Sequence, residues 1–387
     1  MDLSFIINQL GEDREQYFNA IAPPIMQSSN FAFKSVGEMR DLLRDEYKGF
    51  LYTRGNNPTI DILRKKLAAL DGAEDALIFG SGAAAIFAAV LSQVQQGDHI
   101  VSVRDPYNWA GQLFTAILPR FGVTTTFVDG TDTANFRNAL QPNTRLIYLE
   151  SPNSFTFELQ DIAAVAALAK EKGIVTMIDN SYCTPIFQRP HELGIDLCLQ
   201  SATKFISGHS DTMAGVLTGR EEMIRKIFMS ELLNIGSGIA PFNAWLLLRG
   251  LRTLEIRLER SASSTKTICE WLKEQPEIER VIFPMDPAFP QYELAKKQMH
   301  GAAGLITIKL KAGKREQVEA FCNGLQRFLM AVSWGGHESL AFPACASLAE
   351  NEFDPAIPKH RMVRLYIGLE EPGVLVSDLA QALRAIK

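Results

Sequence analysis

Lys204 stands in the tetrad Ser201-Ala202-Thr203-Lys204, where two hydroxyls flank one amine. A lysine attacks an aldehyde carbon only as the free amine, a form that desolvation and nearby cations favour. The flanking hydroxyls could hold a phosphate beside it. A lone lysine is ordinarily a solvated surface group, but Gly208-His209-Ser210 follows without helical period, which places this one in a polar, turn-rich stretch. Three further features could complete a site. Phe79-Gly80-Ser81-Gly82-Ala83 reads as a strand entering a helix through a glycine turn. Free N–H groups at such a helix start attract an anion, although a plain structural turn has the same pattern. Asp179 ends the apolar run 174–178, either as a turn cap or as the carboxylate partner of a protonated ring nitrogen, which makes a ring an electron sink. Arg364 interrupts the apolar stretch 362–367. A cation there needs a partner, which is a structural anion or the carboxylate of a ligand, gripped bidentately.

These residues need a frame, and the hydrophobic pattern supplies one. Short β-branched runs at 76–79, 99–103, 124–128, 145–149, 174–178 and 196–199 alternate with helical patterns at 60–70, 82–95, up to 121, and 162–172. That alternation predicts a mostly parallel sheet covered on both faces. Ligands of such sheets bind beyond the carboxyl ends of the strands, where Asp179 and Lys204 fall. Before it, residues 1–50 form an expected N-terminal arm with one short helix at 36–44. The sheet domain spans 51–241. After Pro241 the texture changes to a smaller α+β domain, 242–387, with a long helix over 242–273, strands at 305–310, 329–332 and 363–367, and helices at 315–325 and 375–386.

Composition narrows the function classes. Apolar residues make up 47% of the 387 and charged residues 21%, which is ordinary for a soluble globular chain. The net charge of −5 comes with no basic block, so nucleic acid is an unexpected partner. No apolar run approaches the roughly 20 residues needed to span a bilayer, and Met1-Asp2-Leu3 opens no secretory signal pattern. The five widely spaced cysteines form no CxxC pair, which suits a reducing cytoplasm. The six histidines show no ligand spacing, so no metal is expected.

In order along the chain, Tyr52-Thr53-Arg54-Gly55-Asn56-Asn57-Pro58-Thr59, Ser81-Gly82-Ala83, Glu150-Ser151-Pro152, Asp179-Asn180, Ser201-Ala202-Thr203-Lys204 with Gly208-His209-Ser210-Asp211, the stretch LLLRGLRTL at 246–254, and Arg364 with Gly368 resemble the trans-sulfuration, or Cys/Met-metabolism, family of pyridoxal-phosphate (PLP) enzymes. The resemblance runs from about Pro23 to the end. It implies the fold-type-I PLP-dependent transferase architecture: α/β, a mostly parallel sheet of the seven-stranded type covered by helices, a smaller C-terminal α+β domain and an N-terminal arm. By the same resemblance Lys204 would form the Schiff base and move the Cα proton. Asp179 would pair with the ring nitrogen, and Tyr107 would stack on the ring. Gly82, Ala83, Ser201 and Thr203 would hold the phosphate, joined by Tyr52 and Arg54 from a neighbouring subunit. Ser154 replaces an asparagine expected at the ring hydroxyl. Arg364 and Ser333, with Trp334 and Tyr107 nearby, would bind the substrate. Tyr107 or Tyr52 would act as auxiliary acid or base. A homo-oligomer with shared sites, a homotetramer in this family, is implied.

The same resemblance points to a carbon–sulfur lyase. Ser151-Pro152-Asn153-Ser154, Ser333-Trp334-Gly335-Gly336 and Ile367-Gly368-Leu369-Glu370 are similar to bacterial cystathionine β-lyases. Val332 stands where γ-acting cystathionine enzymes carry glutamate, and Trp109 where methionine γ-lyases carry cysteine. These favour β-elimination of L-cystathionine to homocysteine, pyruvate and ammonia. Cystathionine γ-lyase, methionine γ-lyase and cystathionine γ-synthase or O-acylhomoserine thiol transferase are the alternatives; the Gly-Asn-x-Pro-Thr form of 55–59 belongs with γ-acting members. A non-catalytic PLP-fold binding protein is a remote reading, which Lys204, Asp179, Tyr107 and Arg364 together oppose.

Overall fold

The computed structural model describes residues 1–349 and 351–386, and the chain divides into two compact units. The first comprises 1–153, 158–207 and 211–252; the second comprises 154–157, 208–210 and 253–387.

In the first unit the strands are β1 (Asp75–Phe79), β2 (His99–Val103), β3 (Thr124–Val128), β4 (Thr144–Glu150), β5 (Val175–Asp179), β6 (Leu197–Ser201) and β7 (Gly215–Gly219). They form one sheet in the order β1-β7-β6-β5-β4-β2-β3. Only β7 runs against its neighbours; β2 to β6 pair in parallel. Leu146 and Tyr148 of β4 enter one core, with Phe114, Met177 and Leu199, while Ile147 and Leu149 enter the other, with Val101, Ile162 and Ile178. Successive side chains point to opposite faces, so both faces are buried and the strands read as unbroken apolar runs. Helix starts are capped as the local residues dictate. Asn57 caps the helix Pro58–Asp71, with proline at its first position and Gly72 at φ 69° closing it. Ser81 caps Gly82–Leu91.

The arm is tied to the first unit at several points: Thr59 Oγ1 accepts the Met26 N–H at 2.9 Å, Trp245 Nε1 donates to the Pro23 carbonyl at 2.9 Å, and Arg252 pairs with Glu12 at 3.0 Å. Lys66, inside the helix Pro58–Asp71, directs its ammonium to the Glu12 carboxylate at 3.0 Å and to the carbonyls of Ile6 and Ile7 at 3.0 and 2.9 Å. Further along, the helix Val36–Arg44 buries none of its residues.

The second unit contains β8 (Ile278–Ile282), β9 (Leu305–Leu310), β10 (Leu329–Met330), β11 (Leu340–Pro343) and β12 (Met362–Tyr366), ordered β10-β11-β12-β9-β8. All pairs except β10–β11 are antiparallel. The helices Leu254–Lys273, Arg315–Gly324 and Pro372–Leu383 accompany this sheet.

The expected single helix over 242–273 is two helices, Pro241–Leu251 and Leu254–Lys273. The first packs on Pro58–Asp71, and Gly250 lies against the Ser207 carbonyl with no room for a Cβ. That close approach ties it to the first unit, so the units part between Arg252 and Thr253, beyond the change of texture at Pro241. Among the described residues no helix is long and apolar enough to cross a membrane.

Candidate active site

The carboxyl ends of β4, β5 and β6 gather the acidic and basic groups. Asp179 closes β5 directly opposite Glu150 at the end of β4. Its carboxylate is only 8% exposed and accepts the Ser181 N–H at 2.9 Å. Ser181 Oγ in turn accepts the Ser201 N–H at 2.6 Å, which locks the end of β6 to the turn after β5. Burial raises the Asp179 pKa above the usual carboxylate value; the hydrogen bonds from Ser181 and the positive charge of Lys204 oppose it. A dry carboxylate of this kind is suited to a cationic partner. Lys204 follows one turn later, its N–H donating to the Ser201 carbonyl at 3.1 Å.

Next to this group a helix begins. Ser81 Oγ accepts the Ala84 N–H at 3.1 Å. A Cβ on Gly82 would lie 3.2 Å from that of Ser201, so the helix start presses against the end of β6. First-turn N–H groups have no intrahelical acceptor. Gly82 and Ala83 therefore present donors where Ser201 presents a hydroxyl. Thr203 also engages the backbone. Its Oγ1 accepts the Ala214 N–H at 3.0 Å and donates to the Ala214 carbonyl at 3.3 Å. The hydroxyl is committed to the backbone leading into β7 and would have to leave that carbonyl to donate to a phosphate.

Tyr107 precedes the short helix Asn108–Gln112, and its backbone N–H donates to Glu150 Oε2. The phenol is 39% exposed. Its pKa is raised above 10, first by burial and then by the negative charges of Asp179 and Glu150. Glu150 and Ser181 are the positioning residues that sequence reasoning missed. Glu150 stood in a motif, but only the cross-strand register reveals what it holds. Tyr52 and Arg54 are exposed on the segment after the arm, the guanidinium 5.2 Å over the Tyr52 ring. Trp109 is exposed as well.

The other expected site residues group within the second unit. Arg364 on β12 pairs across the sheet with Phe342 on β11. One guanidinium nitrogen donates to the Ser154 carbonyl at 3.3 Å. Ser154 was expected at a cofactor ring through its side chain; its main-chain oxygen accepts from this arginine. Ser333 carries φ 77°, a left-handed conformation that costs a non-glycine residue about 1 kcal/mol or more. The neighbouring Trp334 is buried, and the Tyr366 hydroxyl donates to the Gly336 carbonyl at 2.7 Å.

Three residues from separate elements, Asp71, His191 and Cys198, bring metal-capable atoms within 4.8 Å of one another. Thr218 Oγ1 donates to Asp71 and lies 2.9 Å from His191 Nε2. The group is knit by its own hydrogen bonds.

A buried strand-end carboxylate, a helix start beside a hydroxyl, a lysine in the next turn and a tyrosine anchored to Glu150 suit the ring nitrogen, phosphate, aldehyde and ring face of pyridoxal phosphate. Asp179 is the telling fit, because a cation would relieve the strain of its burial.

Comparison with known proteins agrees. The family model described as Cys/Met metabolism PLP-dependent enzyme matches residues 5–384. The chain is 39% identical over 374 residues to an L-methionine gamma-lyase of Pseudomonas deceptionensis, covering 95% of this chain and 93% of that one. It is 34% identical to a cystathionine gamma-lyase of Bos taurus, covering 97% and 92%. A crystal structure described as metB from Corynebacterium glutamicum superposes with a TM-score of 0.92 at 32% identity, over 100% of this chain and 99% of that one. The chain therefore belongs to the Cys/Met-metabolism family of PLP-dependent enzymes, the carbon–sulfur lyases and transferases.

Proposed function

We propose that the protein eliminates the sulfur substituent of an amino acid at Cγ, with L-methionine as the leading substrate and methanethiol, 2-oxobutyrate and ammonia as products. The observation that carries the reading is the buried Asp179 carboxylate, tied to Ser181 and facing the charge of Lys204. The substrate comes from whole-chain likeness to an L-methionine gamma-lyase. That likeness extends over 374 residues, whereas the motifs favouring β-elimination of cystathionine are three short stretches and Val332. They keep cystathionine as a second reading.

Pyridoxal phosphate, when bound, supplies an electron sink next to the substrate Cα. Asp179 would hold the ring nitrogen as a cation. Gly82, Ala83 and Ser201 would hold the phosphate, with Thr203 a weaker contributor because of its commitment to Ala214. Lys204 Nζ would take the Cα proton, and because the leaving group is on Cγ a second proton must be lost from Cβ, which the same amine would take once it has passed on the first. Breaking the carbon–sulfur bond needs a proton on sulfur, and Tyr107 is suited to give it. Its raised pKa keeps the phenol protonated at neutral pH, so it serves as an acid rather than a base. Arg364, with Ser333, would bind the α-carboxylate, and Trp334 would shape the pocket around it.

An oligomer with shared sites accords with the exposed Tyr52–Arg54 pair and with the arm, where Phe18, Ile21, Val36, Met39 and Leu43 are all exposed. The five free, buried thiols accord with a cytoplasmic setting.

Product analysis decides between the readings. Purified holoenzyme should give 2-oxobutyrate and methanethiol from L-methionine. Pyruvate with homocysteine from L-cystathionine, and no turnover of methionine, would replace γ-elimination by β-elimination. Consumption of an O-acylhomoserine only with an added thiol would make the enzyme a transferase.

A further inference from the structure

Arg364 sits against two aromatic rings. Its guanidinium carbon is 5.6 Å from the ring centre of Phe155 and 5.3 Å from that of Phe342. The rings meet edge to face at 6.2 Å and 69°, so they form a corner into which the cation fits. Phe342 comes from the strand position directly opposite Arg364, where cross-strand side chains share a face. Phe155 follows Ser154, whose carbonyl accepts from the same guanidinium at 3.3 Å. All four residues are partly buried rather than solvated.

The arrangement restricts the guanidinium at three points. Each ring face attracts the cation through its quadrupole. The Ser154 carbonyl uses one N–H and fixes the rotation of the guanidinium plane. An arginine has five N–H donors in a rigid fork, a geometry that matches the two oxygens of a carboxylate. Apolar rings also displace water, and a charge pair is stronger where water is scarce. A long side chain held in this way loses less freedom when a ligand arrives.

We propose that Phe155 and Phe342 are positioning residues that preset Arg364 for the substrate carboxylate and sharpen discrimination between an amino acid and its uncharged amide. The inference rests on the assignment of Arg364 to the α-carboxylate and extends it to two residues that touch no reacting atom.

The test uses holoenzyme variants Phe155→Leu, Phe342→Leu, Phe155→Tyr, Phe342→Tyr and Arg364→Ala. KM and kcat are measured for L-methionine, and kcat/KM is compared for L-methionine and L-methioninamide, with thermal midpoints confirming that each variant is folded. Leucine keeps apolar volume but removes the π face; tyrosine keeps the face. The leucine variants should raise KM about 3- to 10-fold with kcat within about twofold, and lower the acid-to-amide preference by a similar factor. The tyrosine variants should stay close to wild type. Leucine variants with unchanged KM, or tyrosine and leucine variants equally impaired, would overturn the aromatic corner while leaving Arg364 in place. Unchanged KM and acid-to-amide preference in Arg364→Ala would overturn the carboxylate assignment itself.

Discussion

At the scale of single residues, Asp179 and Tyr107 carry opposite duties with the same physical cause. Burial raises both pKa values, and each is also adjusted by a neighbour's charge. For Asp179 the charge of Lys204 pulls back toward ionisation, whereas for Tyr107 the Asp179 and Glu150 charges push further toward the neutral phenol. Asp179→Asn should lower kcat at least about 10²-fold while the protein stays folded, because the neutral amide cannot hold a ring cation. Steady-state kinetics with a melting curve checks this. Tyr107→Phe retains the ring but loses the proton; kcat should fall about 10²- to 10⁴-fold with little change in KM. Any alkaline limb from this phenol should lie above that of an ordinary tyrosine, since burial and the neighbouring carboxylates hold the acid form to higher pH; a pH–rate profile of wild type against Tyr107→Phe checks this. Lys204 and Asp179 were legible in the sequence because strand-end residues of a covered parallel sheet converge on one edge. Glu150 and Ser181 were not, since their value lies in pairing across strands and between turns. The aromatic corner on Arg364 escaped for the same reason: Phe155 and Phe342 are far apart in the chain and meet only through the second sheet.

At the scale of elements, legibility followed composition. β2, β3 and β9 fall where β-branched runs place them, residue for residue. β7 was missed because glycines bound it, and Gly215 is there because the Ser81 carbonyl leaves no room for a side chain. At the break at Arg252–Thr253 only Gly250 stands nearby, inside the last turn of the first helix, and no proline marks the stop. His99 on β2 staples three strands, its Nδ1 2.8 Å from Thr144 Oγ1 on β4 and its Nε2 2.9 Å from Thr126 Oγ1 on β3. Burial lowers its pKa below the usual 6.5. The unfolded chain therefore takes up this proton first as pH falls. The stability His99 contributes is full above about pH 6.5 and is lost as pH falls through the lower native value. Denaturant titrations at pH 7.5 and 5.0 should show a smaller acid loss in His99→Gln than in wild type. The Lys66–Glu12 tether makes a prediction of a different kind. Lys66→Met should cost about 3 kcal/mol, because it leaves Glu12 short of a buried partner and two carbonyls without their donor. Hydrogen exchange should localise the first loss of protection to the helix Leu3–Asn8.

At the scale of the whole molecule, the exposed apolar residues of the arm and the outward Tyr52–Arg54 pair argue for a site completed by a second chain. Mixing inactive Lys204→Ala and Arg54→Ala chains, with proven exchange of subunits, should restore part of the activity; no recovery would mean that each chain completes its own site. The assembly matters less to the central claim than the position of the cofactor. Borohydride reduction of the holoenzyme followed by peptide mass mapping locates the lysine that bonds pyridoxal phosphate. The cofactor should be recovered on the peptide bearing Lys204 and on no other, with Lys204→Ala yielding none. Recovery on a different lysine, or trapping undiminished in Lys204→Ala, would contradict the account.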